Sequence, residues 1–211
     1  MKLVTSLLFS LCFLVSGARA ESVTARVVAD DFYSVYVGNA SGSSLTHVGG
    51  SGSTLWFGQG APFGFAANPG DYLYVAAWDS AGYGPPHMWI GAFDIGGTML
   101  YSNTSDWVAK YDGSLKDPST AAVSALAQSS GAWSSILASM PNGSSPYGSL
   151  IGGAPASMIW HDSFGGSSAS EGGYALFRSA APVVAVPEPE TWALMLAGLG
   201  LLGAMGRRRR V

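Results

Sequence analysis

The side chains best suited to chemistry in this chain are carboxylates and imidazoles in three short groups: Asp30-Asp31, the stretch from Asp79 to His87, and His161-Asp162. Paired carboxylates first suggest a general acid and base flanking one scissile bond. Asp30 and Asp31, however, fall in an extended run rich in Val, Tyr and Phe, where successive side chains point to opposite faces of a sheet. They are expected to diverge, which leaves a turn-capping role or a share in Ca²⁺ coordination. Calcium needs several oxygen ligands, and no D-x-[DN]-x-[DN]-G loop exists here. His161 and Asp162 are expected to diverge in the same way, with His161 at the surface or in a turn. The three histidines, His47, His87 and His161, are dispersed and lack an H-E-x-x-H or C-x-x-C companion. Neither a G-x-S-x-G elbow nor a phosphate-binding G-x-x-x-x-G-K-[ST] loop occurs. No catalytic residue is assigned, no cofactor is expected, and the metal question stays open with Ca²⁺ as the candidate.

Aromatic residues point to a different chemistry. Sugar rings stack their C–H faces on aromatic planes while nearby carboxylates take hydrogen bonds from hydroxyls. The segment Asp79-Ser80-Ala81-Gly82-Tyr83-Gly84-Pro85-Pro86-His87 combines both groups. Asp31, Asp79, Tyr83, His87 and Trp89 are therefore the candidate carbohydrate-binding residues, with Tyr83 and His87 expected to be exposed. Trp78 and Trp160 sit inside apolar runs and belong in the core.

The elements that must position these residues are mostly strands. Val23–Val28, Phe32–Val37, Leu55–Phe57, Tyr72–Trp78 and Met88–Ile95 are apolar and β-branched or aromatic, separated by Gly- and Ser-rich stretches. Residues 39–54 read as a loop. Ser157–Trp160 and Tyr174–Phe177 read as a closing pair of strands. Asn68-Pro69-Gly70-Asp71 has the composition of a type II turn, in which proline presets φ and glycine supplies the positive φ. One segment departs from the β pattern: from Pro118 to Ala127 apolar residues recur at helical spacing, with Asp117 as the expected N-cap and Pro118 in the first turn. A second short helix is expected over Trp133–Ala138. Many short strands with turns between them predict one mainly β domain, a sandwich or jelly roll, with a short helical excursion.

The run Ala29-Asp30-Asp31-Phe32-Tyr33-Ser34-Val35-Tyr36-Val37-Gly38-Asn39 resembles the A-D-D-x-Y-x-V-Y-V-N-G strand of galactose-binding-like jelly rolls. Trp56, the turn Pro69-Gly70-Asp71, the strand Leu73–Asp79 and the segment Gly82–Phe93 are similar to later landmarks of that family. The resemblance spans Val23 to Arg178 and implies a galactose-binding-like β-sandwich, found elsewhere as a non-catalytic carbohydrate-binding module. Two departures stand out: the usual Asn-Gly turn is inverted to Gly38-Asn39, and Asp71 replaces a common Asn.

Both termini carry address signals. Lys2, the apolar stretch Leu3–Val15 and Ser16-Gly17-Ala18-Arg19-Ala20 form a secretory signal peptide over residues 1–20. At the other end stand Pro187-Glu188-Pro189, an apolar run of 14 residues from Trp192 to Met205, and Arg207 to Arg210. As a helix that run is about 21 Å long at about 1.5 Å per residue, short of the roughly 30 Å hydrocarbon core of a bilayer. Residues 187–211 resemble the PEP-CTERM sorting signal. The resemblance implies an exosortase-type membrane transpeptidase as partner, transient inner-membrane attachment through the C-terminal helix, and a final place at the cell surface or in the extracellular matrix. It also suggests exopolysaccharide as a second partner, or a structural biofilm-matrix role with no specific ligand.

Between these signals lie the domain, residues 21–182, and a linker, residues 183–186. From Glu21 to Val186 there are 4 basic residues against 11 acidic ones, a balance of −7. So acidic a body is no nucleic-acid binder, because phosphate contacts need clustered Lys and Arg. The one cysteine, Cys12, lies in the signal peptide, so the exported body holds no disulfide.

Overall fold

Side chains that alternate in direction along Glu21–Asp30 (β1) and Tyr72–Trp78 (β5) set the architecture. Val23, Ala25, Val27 and Ala29 share one interior with Leu73, Val75 and Ala77. The computed structural model describes residues 19–51, 60–79, 87–164, 173–185 and 195–202. Within them two six-stranded antiparallel sheets face each other across that interior. The first sheet runs β10 (Ala138–Pro141), β11 (Ser157–Trp160), β6 (Met88–Ile95), β1 and β4 (Phe63–Ala67). Its sixth member, β7 (Thr98–Tyr101), pairs with the C-terminal half of β6, while β11 meets that strand at Trp89. The second sheet runs β3 (Leu45–Gly50), β2 (Phe32–Gly38), β5, β12 (Tyr174–Ser179), β8 (Trp107–Asp112) and β9 (Ser134–Ser135).

The outer faces are covered too. Met88, Ile90, Val28 and Met158 pack under Leu150, Ile151 and Ala156. On the other sheet Tyr36, Tyr74, Ala76, Trp78, Tyr174 and Leu176 lie beneath Val123 and Ala127 of the helix α1 (Thr120–Gln128). Burial on both faces explains why β5 and β6 read as near-continuous apolar runs where a half-solvated antiparallel strand would alternate.

Several local expectations are corrected. The closing pair does not form, since β11 and β12 belong to different sheets. Residues 39–54 are not all loop: Leu45-Thr46-His47-Val48 forms most of edge strand β3, its signal diluted by the surrounding glycines and serines. The helix expected over Trp133–Ala138 is replaced by β9 and the start of β10. There Ser134 and Ser135 pair with Ala109 and Val108, and the Trp133 ring receives Arg178 at 4.5 Å and Lys110 at 5.1 Å. Helix α1 is capped by Ser119, whose Oγ accepts from the Ala122 N–H at 3.3 Å. Asp117 has φ 50°, a left-handed conformation outside the helix, so Pro118 precedes the cap. The expected strand Leu55–Phe57 lies outside the described residues, as does the expected signal peptide up to Ala18.

The turn at Asn68-Pro69-Gly70-Asp71 forms as expected, with Gly70 at φ 95° and the Asp71 N–H donating to the Asn68 carbonyl at 3.0 Å. Gly42 is required for a different reason. Its φ is 73°, and a Cβ there would collide with the Ala127 methyl of α1. That close approach lets Ser124 Oγ donate to the Gly42 carbonyl at 2.5 Å and tie the helix to the β2–β3 loop.

Candidate functional site

Strand register builds an acidic corner where the chain crosses between sheets. In the first sheet Asp30 stands opposite Met88; in the second, Phe32 stands opposite Trp78. One step beyond each pair is Asp31, which lies beside Asp79, and the Asp79 carboxylate in turn is met by His87. The Asp31 N–H donates to the Trp78 carbonyl at 3.3 Å and holds the crossing in place. The carboxylates of Asp30, Asp31 and Asp79 each offer an oxygen within 4.8 Å of the others. Asp31, Asp79 and His87 are buried, and Asp30 is half-buried.

This overturns the expectation that Asp30 and Asp31 diverge. Alternation holds only inside a strand, and here β1 ends at Asp30 while β2 begins at Phe32 in the other sheet. The peptide between the two aspartates is cis.

The corner is electrostatically crowded. Asp31 and Asp79 act on Asp30, while Asp31 and His87 act on Asp79. Two like unit charges about 5 Å apart repel by roughly 3 kcal/mol at an effective dielectric near 20. Burial first, and then the neighbouring carboxylates, push Asp30 up from 3.8 to about 7 despite a 2.6 Å hydrogen bond from the Tyr147 hydroxyl to its Oδ2. Asp79 is raised in the same direction, chiefly by burial, with His87 opposing. His87 Nδ1 lies 3.3 Å from Asp79 Oδ2, yet that oxygen has no well-aligned hydrogen-bond donor, and neither does His87 Nε2 have a partner. Tyr147 and Asp30 lie 117 positions apart, so no local pattern in the sequence joins them.

Of the five residues expected to bind carbohydrate, Asp31, Asp79 and His87 meet at this corner. His87 is not exposed as expected: the β6 register carries it into the interior at 1% exposure, with its ring 5.6 Å from that of Trp160. Trp89 is fully buried between the sheets, edge-on to Trp107 at 4.8 Å, so it offers no stacking surface. Trp78 and Trp160 are core residues as expected. Tyr83 and the motif Pro187-Glu188-Pro189 lie outside the described residues.

His161 is a separate feature. It stacks on Tyr111 at 4.4 Å, and its Nε2 is 3.6 Å from Asp162 Oδ1, so the two neighbours do not fully diverge. Burial lowers its pKa below the ordinary histidine value. Two grooves of about 190 and 460 Å³ lie at the other end of β5, one beside Leu73 and Val183, the other beside Val37 and Asp71.

Residues 195–202 are helical, with Met195, Leu196, Leu199, Leu201 and Leu202 exposed. No helix among the described residues is long and apolar enough to cross a membrane. The described chain is thus a two-sheet β body followed by a helical tail whose apolar side chains are exposed. A family model described as the PEP-CTERM protein-sorting motif matches residues 185–210. That motif implies an exported chain, processed by an exosortase and transiently anchored in the membrane through its C-terminal region. No curated protein and no solved structure matches the chain.

Proposed function

We propose that the exported body, a jelly roll of the galactose-binding-like type, is a non-catalytic module that binds exopolysaccharide at the cell surface or in the surrounding matrix. The observation that carries this reading is the meeting of Asp31, Asp79 and His87, residues up to 56 positions apart, at one end of the sandwich. Polar groups gathered at strand ends are where a rigid scaffold presents a ligand site. The sorting motif at residues 185–210 supports export of the body, which the reading requires. Tyr83, between Asp79 and His87 in sequence, is the residue that would stack on a sugar ring.

A second reading, a structural component of the biofilm matrix without a specific ligand, is favoured by the burial of Trp78, Trp89, Trp107 and Trp160. Those four rings serve the core and leave no described tryptophan fully open for stacking. Binding of the purified full chain to the producer's own exopolysaccharide separates the two. Saturable binding, lost in Tyr83→Ala, is expected of the module; no binding at any concentration leaves the structural reading.

A further inference from the structure

We propose that Asp30, Asp31 and Asp79 form a site for a single calcium ion at the crossing between the two sheets. The inference goes beyond carbohydrate recognition and does not depend on it.

The spacing fits a shared ion. Calcium holds oxygens at about 2.3–2.6 Å, so two oxygens on the same ion can stand up to about 5 Å apart. The three carboxylates already lie within 4.8 Å of one another. Magnesium, at about 2.0–2.1 Å, would require the cluster to contract. The donor set is all oxygen, which selects hard cations over zinc or copper.

A second observation points to a ligand. Asp79 is 4% exposed, and its Oδ2 has no hydrogen-bond partner. Buried polar atoms in folded proteins are almost always satisfied, and an oxygen that has His87 Nδ1 at 3.3 Å but no well-aligned donor is one that an ion would satisfy. The surroundings also resemble an outer coordination shell. The Tyr147 hydroxyl fixes Asp30 through Oδ2, and His87 Nδ1 stands beside Asp79. Such partners orient ligands without contacting the metal. Half-exposed Asp30 gives the ion a path to solvent, and waters would complete its coordination. The ligands sit at strand ends pinned by both registers, so the site is held by the scaffold itself.

The experiment is titration of CaCl₂ into the purified, EDTA-stripped full chain in mild detergent, followed by isothermal calorimetry, with MgCl₂ and ZnCl₂ in parallel. One calcium per chain is expected, with Asp79→Asn and Asp31→Asn each weakening binding at least tenfold. Asp30→Asn, at the half-exposed position, is the variant to use if the other two fail to fold by circular dichroism. Absence of saturable calcium uptake by the folded wild type would overturn the proposal. So would unchanged affinity in a folded variant, or uptake of zinc or magnesium in preference to calcium.

Discussion

Two buried polar sites in this molecule solve the same problem in opposite ways. Lys110 is 9% exposed, yet its ammonium donates to the carbonyls of Leu126, Ala127 and Ser129 at 3.3, 3.0 and 2.8 Å and to Ser129 Oγ at 3.2 Å. Those carbonyls end helix α1, which has no basic residue of its own in the last turn. One cation thus satisfies orphan acceptors and complements the negative end of the helix dipole. At the acidic corner three carboxylates meet instead, one of their oxygens has no well-aligned donor, and against the Tyr147 hydroxyl on Asp30 stand two further acids, Asp31 and Asp79. The first arrangement is closed and structural. The second is open, and a fold that keeps an open cluster of like charge does so at the expense of its own stability.

Breaking the closed site should have the largest effect. Lys110→Met keeps most of the buried stem but strands the carbonyls of the helix end. Charge-assisted hydrogen bonds contribute about 1.5–3 kcal/mol, and the loss here is expected near the top, about 3 kcal/mol. For a chain of this size that lowers Tm by about 6–12 °C, read by thermal denaturation. A change of less than about 2 °C would mean that water replaces the ammonium without cost and that the contrast between the sites is false.

Filling the open site should raise stability by a slightly smaller amount. A ligand at a hundred times its Kd stabilises the folded state by about 2.7 kcal/mol, so calcium should raise Tm by about 5–10 °C. Lys110→Met should keep that increment, because its site lies apart from the corner, while Asp79→Asn should lose it. An equal increment in Asp79→Asn would place the ion elsewhere.

The two sites were not equally legible. Strands β5 and β6 and the Pro69-Gly70 turn are plain in the sequence because their signals are local: long apolar runs and a residue pair that dictates φ. Strand β3 and the short β9 and β10 are not, because pairing with a neighbour makes them and their own composition does not. Asp31, Asp79 and His87 are recognisable as polar groups at strand ends, but their meeting depends on two registers that no local pattern encodes. Strand alternation puts Asp30 and Asp31 on opposite faces, but the change of sheet between β1 and β2 ends that alternation at Asp30. Lys110 offered no signal at all; its role exists only once α1 lies on the outer face of the second sheet.

The smallest effect is a pH dependence confined to the open site. Asp30 titrates near 7 in the folded chain against 3.8 ordinarily. Between those values the folded state holds a proton that the unfolded state has released, so the group's contribution to stability falls as pH rises and levels off above about 7. In EDTA, the stability of wild type relative to Asp30→Asn should therefore decline from pH 5 to pH 7.5. Asp31, Asp79, His87 and Tyr147 face Asp30 from the neighbouring elements and remain in both proteins, so the variant alters only the Asp30 carboxyl. The decline should stay under about 1 kcal/mol, because solvent screens a half-exposed carboxyl. Saturating calcium binds the ionised carboxylates and should abolish the slope. A slope that persists in calcium would leave Asp30 as a strained acid outside the metal's reach, and the ion would then have to be held by Asp31 and Asp79 alone.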